Sequence, residues 1–297
     1  MPVARHLGAA WASVHAPHDP RSLLVWLLER EFRGLGAAPA ARTMDWAALR
    51  EVASDLPVAF PVVRAGSALA EVDATGGAGS ANEGEQQVAF AAVAEAVRVA
   101  RVLGTPHVVL APGLVPVLGE IERQDLGDPS AGWTRERAQA LLARRATGLA
   151  PALDRVCRFL HAVVRRYPEF RFSLTTSRNL RTVADRSGLE AVFEDLSSLG
   201  LGYWHDAAVV ARREQLLGES QGEWLETFAR RLRGGSMADA SEEGLGLLPG
   251  TGVVDWPALA AAVPRMAQPM PWVLELDPSV DPREMQGARS FLDRHGL

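Results

Sequence analysis

Short runs of contiguous apolar residues alternate along this chain with longer stretches whose apolar positions recur every three or four residues. The first pattern predicts buried strands and the second amphipathic helices. Residues 10–15 read as a first strand, and 21–32 as a helix with Leu23, Leu24, Leu27 and Leu28 on one face. A short second strand is expected near 36–40, a helix over 45–54 with Asp45 as its N-cap, and a third strand over 56–64. After a Gly/Ala/Ser-rich loop (66–84) comes a long helix, 85–103, stopped by Gly104. The strand 107–111 and a second loop, 112–132, precede a helical stretch over 134–167 that breaks or restarts near Pro151.

The second half repeats the alternation. Strands are expected over 170–175, 201–206 and 272–276, with a weaker one over 234–238. Helices are expected over 189–196, 208–217, 223–232, 255–266 and 282–295. About eight strand–helix pairs in 297 residues fit the α/β class, as a (β/α)8 TIM barrel occupying 1–297 as a single domain. A doubly wound open sheet would carry a glycine-rich turn after its first strand, and Ala16-Pro17-His18-Asp19-Pro20 is not one. The two long loops are candidates for lids over a site.

Composition narrows the function. A formal net charge of −5 argues against nucleic acid as a partner. No apolar run reaches the roughly 18 residues of a membrane span, and Met1-Pro2-Val3-Ala4-Arg5-His6 lacks a signal-peptide layout, so a cytoplasmic location is expected. All 31 basic residues are arginine, which excludes Schiff-base lysine chemistry and P-loop nucleotide binding. Cys157, the only cysteine, lies in a helical apolar pattern and reads as a buried structural thiol.

Candidate chemistry gathers at predicted strand ends, where TIM barrels place it. Gly202-Tyr203-Trp204-His205-Asp206 ends in a His–Asp pair. Neighbouring strand residues face opposite sides, so at most one of the two points fully into the mouth. Glu275 interrupts the apolar run Trp272-Val273-Leu274-Glu275-Leu276, which is costly without a partner; it is either functional or paired to a buried arginine. Arg64 ends the third strand and Arg178 follows the fifth; both suit anionic oxygens, with a surface ion pair as the plainer alternative. His15 and His18 flank the end of the first strand and one of them is a candidate for lining the mouth, the alternative being that His18-Asp19-Pro20 only starts a helix.

Four segments, in this order, resemble the xylose isomerase-like TIM barrels of the sugar phosphate isomerase and epimerase superfamily. Gly104-Thr105-Pro106-His107-Val108-Val109 with Pro112-Gly113 resembles the fourth strand. Gly202-Tyr203-Trp204-His205-Asp206 resembles the strand ending in His-Asp, and Gly250-Thr251-Gly252-Val253-Val254-Asp255-Trp256 the run before the seventh helix. The segment around Glu275 resembles the eighth strand. The resemblance implies a divalent metal held by Glu, Asp, His and Glu. Only Asp206 and Glu275 match. The other positions fall on Thr175 or Thr176, on Val209 and near Ser236, while the "D-H-L-P" run falls on Leu245-Gly246-Leu247-Leu248.

The expectation is therefore no tightly held metal or other cofactor, with at most a weak divalent ion at Asp206 and Glu275. Asp206, Glu275 and His205 are the expected catalytic residues. His15, Arg64, Arg178 and Asp239 are the expected substrate-binding residues. The implied ligand is a small polyol or keto-sugar, handled by proton transfer. The alternative is a non-catalytic barrel that binds a metabolite or a protein. A homodimer is left open, with Trp224 or Trp272 as interface candidates.

Overall fold

The computed structural model describes residues 5–39, 41, 44–65, 76–116, 125–263 and 270–297. Eight strands run parallel: β1 (Arg5–Gly8), β2 (Leu35–Gly36), β3 (Val63–Arg64), β4 (His107–Leu110), β5 (Arg171–Leu174), β6 (Gly202–Asp206), β7 (Leu232–Met237) and, last in the chain, β10 (Trp272–Leu274). Their order is β2-β1-β10-β7-β6-β5-β4-β3. The two edges meet at Ala37 and Val63: Ala37 N–H donates to Val62 O at 2.9 Å and Arg64 N–H to Ala37 O at 2.8 Å. The sheet thus curls into a (β/α)8 barrel.

The helices lie between successive strands. They are α1 (Ala9–His15) and α2 (Pro20–Glu29), α3 (Trp46–Val52), α4 (Glu83–Leu103), α5 (Arg135–Arg166), α6 (Arg186–Asp195), α7 (Ala207–Leu217), α8 (Gln221–Thr227), α9 (Trp256–Ala262) and α10 (Met285–His295). Their starts are set by caps: Asp45 accepts from Ala47 and Ala48 N–H, Thr134 from Arg137 N–H, and Asp19 precedes Pro20 and accepts from Ser22 N–H. Gly104, in the left-handed region at φ +70°, closes α4 as expected.

Three expectations change. Residues 10–15 are helical, and the first strand lies earlier, at Arg5–Gly8. The run Ala9-Ala10-Trp11-Ala12 fits either period over so short a span. Helix α5 passes through Pro151 unbroken, because its buried face from Ala138 to Val163 holds both halves against the barrel. A hairpin, β8 (Asp239–Ser241) with β9 (Gly244–Leu247), was not foreseen in its glycine-rich stretch. Of the expected loops, 66–75 and 117–124 lie outside the described residues, as do 264–266 of the expected 255–266 helix.

Alternation along β6 sorts its side chains. Trp204 points inward and packs with Val62, Val109 and Val273, all fully buried, to fill the barrel. Tyr203 points outward, its ring 6.3 Å from Trp224 and 4.6 Å from Phe228. Trp224 and Trp272 are fully buried within the chain, so neither is available to a dimer interface.

The large rings need glycines opposite them. A Cβ on Gly234 would lie 2.5 Å from the Trp204 ring, and one on Gly235 would lie 2.2 Å from the Trp272 ring and 2.7 Å from His205 O. Gly235→Ala is therefore expected to destabilise the fold by about 3 kcal/mol through overpacking, measured by urea unfolding. No loss would mean that the tryptophans repack freely.

Candidate active site at the barrel mouth

Three charged groups converge where β3, β6 and β10 end. Arg64 Nη1 donates to Ser236 Oγ at 2.7 Å and lies 3.5 Å from Glu275 Oε1, while Nη2 lies 3.3 Å from Asp206 Oδ2. The side chains of Arg64, Asp206 and Glu275 are only 19%, 12% and 23% exposed, so water screens them weakly. Ser236 Oγ also accepts from Trp204 Nε1 at 2.9 Å, tying the site to the ring that fills the barrel.

Backbone geometry fixes the two acids. Asp206 caps α7, its Oδ1 accepting from Val209 N–H at 3.3 Å. That is what Val209 contributes where the resemblance implies a histidine. Glu275 is held through its backbone N–H, which donates to Met237 O at 3.1 Å. Its carboxylate fits because residue 8 is glycine: a Cβ there would lie 2.7 Å from Glu275 Oε2. Gly8 did not stand out in the sequence as a site residue, and Ser236 only marked where the resemblance places a histidine.

Burial shifts the charges. It pushes the Glu275 carboxyl above the usual range; Arg64 opposes that shift and nearby Asp206 adds to it. For Arg64, burial alone would weaken the cation, but the charges of Glu275 and Asp206 outweigh it and raise its pKa.

The other expected residues lie elsewhere. His205 faces outward, fully buried, with Nδ1 3.0 Å from the Tyr203 hydroxyl, and burial lowers it to about 3. A neutral imidazole in the helix layer cannot reach a ligand in the mouth, so the catalytic part expected of it does not follow. Asp239 is likewise fully buried and structural. It accepts from Ala240, Gly250 and Val254 N–H and from Trp256 Nε1, at 2.9–3.0 Å. Its lone pairs are spent on folding the Gly250-Thr251-Gly252 turn, and none is left for a substrate. A Cβ on Gly252 would lie 2.5 Å from Asp239 Oδ1, which explains the glycine in that motif.

His15 Nε2 meets Pro278 O at 2.6 Å and its ring packs at a tilt on Trp11, 4.6 Å between centroids, bracing the loop after β10. Arg178 pairs with Asp125 at 2.9 Å while half exposed, the surface pair that was its plainer reading. Cys157 is buried and pushed up to about 12, chiefly by burial, consistent with an inert structural thiol.

Among the described residues, no three His, Cys, Asp or Glu side chains gather as metal donors. The Glu expected at the end of β5 falls on Thr175 or Thr176, and the buried hydroxyl of each lacks a hydrogen-bond partner. Ser173 turns its hydroxyl inward to His107, 2.8 Å away, and Thr175 follows it on the same face.

The whole barrel superposes on solved sugar epimerases. It matches 3-keto-D-glucoside 4-epimerase from E. coli with a TM-score of 0.68 at 11% identity, over 98% of this chain and 99% of that one. It matches D-psicose 3-epimerase from Clostridium cellulolyticum H10 with a TM-score of 0.66 at 12% identity, over 99% of both chains. A xylose isomerase-like TIM barrel/4-hydroxyphenylpyruvate dioxygenase fusion protein matches over 98% of this chain and 42% of its own, with a TM-score of 0.63 at 14% identity. The fold is that of a xylose isomerase-like TIM barrel. No protein-family profile and no curated protein matches the chain. In this xylose isomerase-like barrel the C-terminal mouth is built around an arginine held between two carboxylates.

Proposed function

We propose that this barrel binds a small polyol or keto-sugar at its C-terminal mouth and isomerises or epimerises it by proton transfer. The observation that carries this reading is Arg64 bridging Asp206 and Glu275 in a weakly screened site. Removing a proton beside a carbonyl leaves negative charge on the carbonyl oxygen. A guanidinium, with its fork of N–H donors, stabilises that charge in a low-dielectric site. The two acids stand at the ends of β6 and β10, to either side of β7, so one can remove the proton and the other return it. Glu275, raised by burial, is suited to donate the proton.

A second reading is favoured by the pairing itself: the three groups already bond one another, as in a barrel that binds without chemistry.

One experiment separates the readings. The protein is incubated in D2O with five- and six-carbon ketoses and 3-keto-glycosides, and deuterium at the carbon beside the carbonyl is read by NMR. Exchange is expected with at least one ketone, reduced about a hundredfold or more by Asp206→Asn and by Glu275→Gln. Binding without exchange would favour the second reading. Neither binding nor exchange across the panel would overturn both.

A further inference from the structure

We infer that the Arg64 guanidinium is the resident cation of this site, occupying the place between Asp206 and Glu275 where a dissociable ion would have to sit. The inference stands on geometry and does not depend on the proposed reaction.

Two carboxylates from β6 and β10 converge at the mouth with side-chain exposures of 12% and 23%. Two such anions, drawn together in a poorly hydrated place, require a positive partner. The chain supplies it from β3, covalently, with Nη2 3.3 Å from one acid and Nη1 3.5 Å from the other. Ser236 fixes the orientation by accepting from Nη1 at 2.7 Å.

A divalent ion would need oxygen contacts of about 2.0–2.6 Å from the same carboxylates. The guanidinium already lies between them, so metal and Arg64 are mutually exclusive. The residues present therefore do not fit the metal that the fold resemblance implies. They fit a fixed monovalent cation.

The test is to remove the built-in cation and offer a diffusible one. Arg64→Ala should leave space and two anions. Added manganese, or guanidinium at sub-denaturing millimolar concentration, should raise its thermal midpoint by several degrees, with saturable binding by calorimetry. The wild type should shift by less than about one degree with either. Glu275→Gln added to Arg64→Ala should abolish the binding.

If Arg64→Ala folds only with manganese or guanidinium present, that cation-dependent folding supports the inference. Arg64→Lys, which keeps a cation on the chain, should fold and bind no manganese. Manganese bound at the mouth by the wild type or by Arg64→Lys would overturn the inference. So would an Arg64→Ala protein that folds and binds neither cation.

Discussion

Replacing Arg64 by methionine is expected to cost the fold about 3 kcal/mol at neutral pH. Methionine keeps an apolar stem of similar length and removes the charge. A solvated surface pair would contribute only about 0–1 kcal/mol, whereas breaking a buried pair costs about 3–5 because the partner is stranded. The exposures of Asp206 and Glu275 place this site nearer the second case, and two acids are stranded rather than one. The deficit should be largest above pH 7. It should narrow on acidification, as protonation removes the unpaired charges. Urea unfolding at several pH values measures it. A loss below about 1 kcal/mol at pH 7.5 would mean that the mouth is a solvated ion cluster.

Wild-type stability is expected to collapse between pH 6.5 and 4. Burial lowers His6 and His107 to about 4 and His205 to about 3, and for His107 the charges of Arg171 and Arg233 add to it. All three are neutral in the fold, while the unfolded chain takes up its protons first, near pH 6.5. Their contribution is therefore complete above pH 6.5 and is lost as the pH falls toward the folded values. Each histidine contributes a slope of about 1.4 kcal/mol per pH unit, so together the three reach about 4. Between pH 6.5 and 4 that removes up to about 10 kcal/mol, comparable with a typical total stability of about 5–15.

Glu275 acts in the opposite sense. Its raised pKa contributes stability at low pH that is lost as the pH rises through the folded value. One group cannot cancel three. His205→Gln should lower the slope by about a third, while a stability flat from pH 8 to 5 would contradict the buried neutral histidines.

The barrel was legible because its long helices and apolar strands have strong periods. The expected 85–103 and 208–217 helices match Glu83–Leu103 and Ala207–Leu217 to within two residues. What was not legible is short or held from afar. Strand β1 has four residues and earns its place by pairing with β2 and β10, which no local pattern records. The β8–β9 hairpin is rich in glycine and is anchored by Asp239, a carboxylate whose donors lie up to 17 residues away.

The site was half legible for the same reason. Alternation allowed at most one of His205 and Asp206 to face the mouth, the family resemblance favoured Asp206, and Glu275 advertised a need for a partner by interrupting an apolar strand. That its partner is Arg64, 211 residues earlier, follows only from closure of the barrel. Gly8 belongs to the site through the side chain it lacks, and sequence pattern has no sign for that.

The central claim is that one guanidinium binds the two carboxylates into a single unit at the mouth. A double-mutant cycle of Arg64→Met and Glu275→Gln, read by urea unfolding at pH 7.5, tests it most directly. The expected result is a coupling of at least about 1.5 kcal/mol, with the double variant more stable than Arg64→Met alone. Effects that add within about 0.5 kcal/mol would contradict it, for the two side chains would then act independently.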